Sequence, residues 1–346
     1  MRLLVITQAV NIHDPVMSFF HQWISLLSQR FEGVEVICLG SGEYNLASNV
    51  SVYSLGKENN NTFINKIINF YKYLWQLNGK YDAVFVHMNE EYVLLTGWWW
   101  RLTGRRVGLW RNHKQGSWKT YIAVWLSNLV FCTSPFSFTK RFSKTLLMPV
   151  GIDTNVFKLI HSESGQVENG SILCLGRIAP VKKIEVLIKA LRILKDRGII
   201  FVCDIVGDCL PRDINYLNLI KQEISDYNLG SLVRFYPGVS NMDTPGLYWQ
   251  HQIFVNMTPS GSLDKTILES MACGSVPLMA NKSLEDELDN LLIFEEDSAE
   301  SLADHLIYIL DMPKEQREKI ITTNNKYVRE NHSLDLLIDK LFKTFS

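Results

Sequence analysis

Thr258-Pro-Ser-Gly-Ser-Leu-Asp-Lys-Thr-Ile-Leu-Glu-Ser-Met-Ala-Cys-Gly274 reads as a turn that feeds a helix. Pro259, Ser260, Gly261 and Ser262 break the chain, Asp264 can cap, and Ile267, Leu268 and Met271 supply an apolar face that ends at Gly274. Short apolar runs on either side, Ile253–Asn256 and Val276–Met279, read as strands, so the whole is a strand-helix-strand unit. The helix start is also a natural anion site. Its first N–H groups have no partner within the helix, and the macrodipole adds about half a positive charge there. Glu269, one turn further in, is an acceptor-only carboxylate that suits a pair of vicinal hydroxyls. Phosphate at the helix end with a diol beside it describes a nucleotide, although most loop-to-helix junctions with a Gly are only turns.

The same alternation runs through the chain. In the second half Ser171–Leu175, Ile199–Val206, Val233–Phe235 and Leu291–Phe294 complete the strands; Ile184–Arg197, Asp213–Tyr227, Thr244–Trp249, Ala299–Leu310 and Lys314–Asn331 join the helix over Thr266–Cys273. In the first half Leu3–Thr7, Val34–Leu39, Val50–Ser54, Ala83–His87, Arg106–Trp110, Leu129–Thr133 and Leu146–Val150 read as strands. Helices there are expected over Val16–Phe31, Phe63–Asn78, Tyr92–Leu102 and Thr120–Ser127. Alternation of this kind predicts parallel sheets with helices on both faces, and 346 residues accommodate two such domains. The expected division is an N-terminal domain over 1–157, a polar linker over 158–170, and a second domain over 171–331. A final helix within 332–346 can pack back onto the first domain.

Charged residues make up 21% and apolar ones 47%, with a net charge of -1, which fits a globular protein and argues against a nucleic-acid binder. Leu3–Ile6 is too short for a signal peptide, and Tyr121–Cys132 is too interrupted to span a bilayer. The six cysteines have no metal-like spacing and suit reduced thiols in a cytoplasm. No metal or other cofactor is expected.

In parallel α/β sheets ligands sit at the carboxyl ends of the strands, and the loops there are polar. In the first half they carry His13 and Asp14, then His87, then His113 and Lys114. In the second, Gly176-Arg177-Ile178-Ala179-Pro180-Val181-Lys182 offers a planar fork and a compact cation, suited to a diphosphate or to nothing more than a solvated loop. Val206-Gly207-Asp208 and Pro237-Gly238-Val239 let backbone approach a ligand closely, or are ordinary turns.

Taken in order, Gly176-Arg177 with Lys182, Val206-Gly207-Asp208, the Phe235 to Gly238 turn and Glu269-Ser-Met-Ala-Cys-Gly274 resemble the donor domain of family-four retaining glycosyltransferases, which have the two-Rossmann GT-B architecture. The resemblance covers 171–310 clearly and extends loosely to the first half through Gly151-Ile152-Asp153 and His113. It implies two tandem doubly wound domains facing across a cleft. Arg177 and Lys182, with Ser262 and Leu263 at the helix start, would bind the donor diphosphate; Glu269 would hold the ribose, and Gly207, Gly238 and Val239 the base. His113 would orient a hydroxyl of the reacting sugar, with His13, Asp14 and His87 on the acceptor side. The implied partners are a nucleotide-sugar donor and a glycan or lipid-linked acceptor, in bacterial surface polysaccharide or glycolipid synthesis. A nucleotide-sugar epimerase of the same fold, or a non-catalytic sugar-nucleotide binder, are the alternative readings.

One departure concerns the sugar. The family pattern has a second Glu eight positions before the one matched by Glu269, and Gly261 stands there. Asp264, Lys265 and Thr266 are the candidates to replace it, although Asp264 equally reads as a helix cap. His87 is placed as well as His113 on position alone, and only the resemblance separates them.

Between Glu91 and Asp153 there is no acidic residue, yet the segment carries Arg101, Arg105, Arg106, Arg111, Lys114, Lys119, Lys140, Arg141 and Lys144. It also holds Trp98, Trp99, Trp100, Trp110, Trp118 and Trp125. Cations beside Trp over 98–144 suit an anionic membrane surface on the cytoplasmic side; buried Trp beneath a solvated charged face is the other reading.

Overall fold

The computed structural model describes residues 1–14, 16–160 and 167–346. They form two compact units, Met1–Gly151 with Leu334–Ser346, and Ile152–Ser333. Much of the expected linker, residues 161–166, lies outside the described residues. Its last part, from Glu168, already belongs to a strand, and Ile152 onward belongs to the second unit.

The first unit holds strands β1 (Arg2–Val10), β2 (Gly33–Ser41), β3 (Val50–Ser54), β4 (Ala83–His87), β5 (Arg106–Trp110), β6 (Leu129–Cys132) and β7 (Thr145–Leu147). All pair in parallel, in the order β3-β2-β1-β4-β5-β6-β7, so the winding reverses between β1 and β4. Alternation along β1 assigns the faces. Leu3 and Val5 join Phe20, Trp23 and Leu27 of α1 (Ser18–Arg30) and Leu337, Leu341 and Phe345 of the chain's last helix, Leu334–Phe345. Leu4 and Ile6 join Phe70 and Leu74 of α2 (Phe63–Gln76), Val93 and Trp100 of α3 (Glu90–Leu102), and Ala123 and Leu126 of α4 (Trp118–Leu126).

The last helix is held here because its apolar face covers the sheet. A Cβ built on Gly108 of β5 would sit 2.6 Å from Phe345 Cζ and 2.8 Å from the Phe131 ring. Gly108→Ala is therefore expected to cost about 1–3 kcal/mol by overpacking. Urea unfolding checks it, and Gly230→Ala, which meets open space and has no positive φ, gauges the effect of the added methyl without overpacking.

The second unit holds β8 (Glu168–Leu175), β9 (Val202–Val206), β10 (Val233–Tyr236), β11 (His251–Asn256) and β12 (Val276–Met279), all parallel, in the order β10-β9-β8-β11-β12. Its helices are α5 (Ile184–Asp196), α6 (Ile214–Asp226), α7 (Thr244–Gln250), α8 (Lys265–Cys273), α9 (Ala299–Leu310) and α10 (Lys314–Asn331); the last helix of the chain is thus α11. Helix α5 packs on α6 and α9, and α8 on α7 and α10. The run Leu291–Phe294, expected as a strand, is instead a 3-10 turn over Asn290–Leu292 with a single bridge from Ile293 to Met279. Asp289 caps that turn by accepting the Leu291 N–H, which curls the run before it can extend along β12.

No helix among the described residues is long and apolar enough to cross a membrane. Five of the six cysteines are buried and Cys209 is half-buried; all are unpaired.

Candidate active site

The winding of the second sheet reverses between β8 and β11, so the loops after these two strands flank the crevice where α/β sheets take their ligands. β8 ends at Leu175, and Gly176, at φ 141°, turns the chain into the Pro180–Lys182 3-10 turn before α5. β11 ends at Asn256 and leads through Thr258–Leu263 into α8. The two loops are joined by an ion pair of Lys182 Nζ with Asp264 Oδ2. A small cavity beside it is lined by Gly176, Lys182, Asn256 and Thr258. Thr258 Oγ1 is buried with no hydrogen-bond partner among the described residues.

Asp264 is the cap of α8, and its carboxylate is fully used. Oδ1 accepts from the Thr266 N–H (3.3 Å) and the Thr266 hydroxyl (2.9 Å), while Oδ2 accepts from Lys182 and from Asn256 Nδ2 (3.1 Å). Burial pushes this carboxyl up, but the Lys182 charge and these donors outweigh it and hold it at about 2. Asp264 and Thr266 were candidates to grip the donor sugar; both are committed to each other and to the cap, and the Lys182 ammonium, not Lys265, neutralises Asp264. Lys265 is half-buried, with its ammonium pushed down by burial and drawn up by Glu269 and Asp153.

The loop before α8 keeps its donors available. Asn281 Nδ2 reaches the carbonyls of Pro259 and Ser262, and Glu296 Oε1 takes the Ser260 N–H at 2.8 Å, which fixes the turn. The N–H groups of Gly261, Ser262 and Leu263 donate to nothing among the described residues. Ser262 is exposed, whereas the Leu263 side chain is buried, so Leu263 has only its backbone to offer a ligand. Arg177, exposed after β8, makes no ion pair or hydrogen bond among the described residues. One cation of the expected pair is thus open and the other is held by Asp264.

Glu269 is 2% exposed on α8. Its Oε1 accepts from Asn241 Nδ2 at 3.2 Å and its Oε2 from the buried Tyr248 hydroxyl at 3.3 Å. Burial raises this carboxyl, opposed by Lys265, Asn241 and Tyr248. Asn241, Tyr248, Asn256 and Asn281 are site neighbours that the sequence reading does not single out, and Thr258 enters it only as the start of the loop. A polar residue at the end of a strand, as Asn256 is, was the available signal for that position.

The glycines divide. Gly207, at φ 154°, would place a Cβ 2.0 Å from the Gly176 carbonyl oxygen, so the loops after β8 and β9 touch through backbone at this point. The contact between the two loops is itself a requirement for glycine at this position. Gly207→Ala should disorder both loops and lower the melting temperature of the second unit, read by calorimetry, where Gly246→Ala, with open space, should not. Gly238 donates to Asp208 Oδ1 at 2.9 Å and stays exposed with Val239 in the loop after β10.

In the first unit the winding reverses between β1 and β4, and the expected residues follow β1, β4 and β5. His113 is exposed; its Nδ1 lies 3.0 Å from the Gln115 nitrogen and 3.1 Å from the Gln115 oxygen, so any ligand contact falls to Nε2. Arg111, read from sequence as part of a basic surface, sits beneath this loop with its Nε 2.8 Å from Glu90 and Nη2 donating to the Gln115 carbonyl. His87 is corrected as an acceptor-side residue: it is 3% exposed and stacks 4.3 Å from Phe20, with Trp23 and Trp110 against it. Asp14 Oδ1 accepts the Val16 and Met17 N–H groups ahead of α1. That leaves His13, paired at 3.3 Å with Glu43, as the exposed side chain of that loop's pair. Among the described residues no group of three or more His, Cys, Asp or Glu is placed to hold a metal.

Residues 158–327 match the family model described as glycosyl transferases group 1. No curated protein matches the chain. Among solved structures, Anabaena Alr3699/HepE in complex with UDP is similar, with a TM-score of 0.79 and 15% identity over 99% of each chain. Sucrose-phosphate synthase from Thermosynechococcus elongatus gives a TM-score of 0.76 at 16% identity over 99% of this chain and 98% of that one. The apo form of the lipopolysaccharide outer core galactosyltransferase WaaB gives 0.66 at 13% identity over 100% and 99%. At these identities the likeness shows the fold: two tandem parallel-sheet α/β domains of the GT-B class.

Proposed function

We propose, from the glycosyl transferases group 1 domain that residues 158–327 carry, that this protein is a glycosyltransferase that moves a hexose or pentose from a nucleoside diphosphate to a hydroxyl of a glycan or lipid-linked acceptor, with retention. The observation that carries the reading is the open Arg177 guanidinium at the end of β8, at the same winding reversal as the N–H groups of Gly261, Ser262 and Leu263 before α8, which find no acceptor among the described residues. A diphosphate needs both kinds of donor. Similar solved structures hold UDP and UDP-glucose, which supports a nucleotide-sugar donor.

In this reading the bond from the anomeric carbon to the diphosphate oxygen breaks as a bond to the acceptor oxygen forms on the same face, and the acceptor's proton leaves. Negative charge grows on the diphosphate, where Arg177 and the start of α8 stabilise it. A ribose hydroxyl replaces Asn241 at Glu269 Oε1, while Tyr248 keeps Oε2. His113 Nε2 orients a sugar hydroxyl, and Gly238 and Val239 border the base. The acid-free, Trp-rich stretch supports attachment to an anionic membrane surface; the reading places it on the cytoplasmic side, in bacterial surface polysaccharide or glycolipid synthesis.

Mass spectrometry of the enzyme with a panel of nucleotide sugars tests the activity through slow donor hydrolysis. One donor is expected to lose its sugar; none doing so favours the non-catalytic binder, and interconversion of donor sugars favours the epimerase. Arg177→Ala is expected to raise the donor KM at least tenfold with the fold unchanged, since a hydrogen bond to a charged group contributes about 1.5–3 kcal/mol. Wild-type kinetics in that variant would place the diphosphate elsewhere.

A further inference from the structure

Helix α2 carries one apolar stripe more than its packing uses. Phe70 and Leu74 face the core with Leu77 beyond them, yet Ile64, Ile68, Tyr71 and Trp75, spaced four, three and four residues apart, form a second stripe in solvent. Ile64 is 68% exposed, Ile68 58% and Trp75 81%. The neighbouring helices continue that surface. Tyr71 donates to the Leu95 carbonyl of α3 at 3.4 Å, and a Cβ on Gly97 of α3 would lie 2.9 Å from Leu126 of α4, so the three helices form one layer. Trp98 of α3 and Trp125 of α4 are 54% and 68% exposed on it.

The charge of this layer decides its occupant. α2 and α4 contain no acidic residue, and those of α3, Glu90 and Glu91, stand at its first turn, where Glu90 is paired with Arg111. Lys66, Lys72 and Lys119 enter no ion pair among the described residues. Arg101 is bonded to the neutral Trp125 carbonyl at 2.7 Å, so its charge stays uncompensated. Exposed aromatic rings among uncompensated cations match the headgroup layer of an anionic bilayer.

We infer that the outer face of α2, α3 and α4 docks on an anionic bilayer, with the second stripe of α2 as its anchor. This rests on the membrane reading above and extends it from the segment 98–144 to α2, which lies outside that segment. Several cations of that segment are tied down within the unit: Arg106, though exposed, bonds the Phe345 carbonyl, the half-buried Lys144 bonds the carbonyls of Val124 and Ser127, and the half-buried Arg105 stacks on Tyr81 while bonding Asn78.

The test is co-sedimentation of the full chain with phosphatidylglycerol-containing and with pure phosphatidylcholine vesicles at low salt, for wild type, Ile68→Ser/Trp75→Ser and, as a control on the second unit, Tyr308→Ser. Wild type and Tyr308→Ser are expected to bind the anionic vesicles, and the double variant to partition at least about tenfold more weakly at an unchanged melting temperature. Equal binding by the double variant would overturn the α2 anchor and leave the membrane reading standing. No binding by wild type would overturn both. A wild-type dimer in analytical ultracentrifugation that the double variant dissolves would mean that a second copy covers this face, and would overturn the proposal.

Discussion

Lys182→Ala is expected to destabilise the second unit by about 3 kcal/mol at pH 7, the lower end for removing one partner of a buried ion pair. The reason lies in what is left behind. Lys182 and Asp264 side chains are 24% and 18% exposed, and Asp264 keeps only Asn256 and Thr266 once the ammonium is gone. The sign of the pH dependence follows from the depressed carboxyl. Held at about 2 against an ordinary 3.8, it contributes stability that is present above pH 4 and lost as pH falls towards 2, worth about 2 kcal/mol. In the variant burial acts without the ammonium and pushes the carboxyl up, so the deficit against wild type should be largest at neutral pH and shrink below pH 4. Urea unfolding at pH 7 and pH 3 checks this. Lys182→Met/Asp264→Asn should recover most of the loss, because it leaves no unpaired charge. An equal deficit at both pH values would show that the pair contributes packing and no electrostatics.

The same pair bears on binding. A carboxylate at a helix start opposes a phosphate there by about 0.3–1 kcal/mol, and Lys182 cancels it. In the proposed reading Lys182 acts on the donor partly by neutralising Asp264, so the double variant should bind donor better than Lys182→Ala alone.

Glu269→Ala is expected to raise the donor dissociation constant by one to two orders of magnitude, from the loss of hydrogen bonds to a charged group worth about 1.5–3 kcal/mol. It would also strand the Tyr248 hydroxyl, 1% exposed and bonded to Oε2, in the interior. Glu269→Gln separates the two effects. The amide keeps an oxygen for one neighbour and should hold the fold, yet it lacks the charge that the ribose hydroxyl would meet at Oε1. Calorimetric titration of both variants is the measurement; affinity unchanged in Glu269→Gln would remove the ribose from this residue.

The alternation of strands and helices was legible because every strand but one lies where an apolar run ends in a polar loop. Leu291–Phe294 failed since Asp289, just ahead of it, starts a turn that periodicity does not register. Within the candidate site, Arg177, Lys182 and Glu269 stand out in the sequence by their places at strand and helix ends and by the family resemblance. Their partners could not: Asp264 lies 82 residues from Lys182, and Asn241 lies 28 from Glu269. Asp264 read equally as cap or sugar ligand until its four donors were in place. His87 looked like His113 because both stand at the carboxyl end of a strand; the aromatic side chains of α1 and Trp110 of β5 distinguish the buried ring from the exposed one. The outer stripe of α2 was visible in the spacing of Ile64, Ile68, Tyr71 and Trp75, but a second apolar stripe acquires meaning only when the first is seen to be filled.

The central claim is that the second unit binds a nucleoside diphosphate at the ends of β8 and β11. Thermal stabilisation of the wild-type protein by UDP, GDP and ADP tests it most directly. One of them at 100 times its dissociation constant is expected to add about 2.7 kcal/mol to stability, with the shift reduced in Arg177→Ala. No shift with any of the three would contradict it.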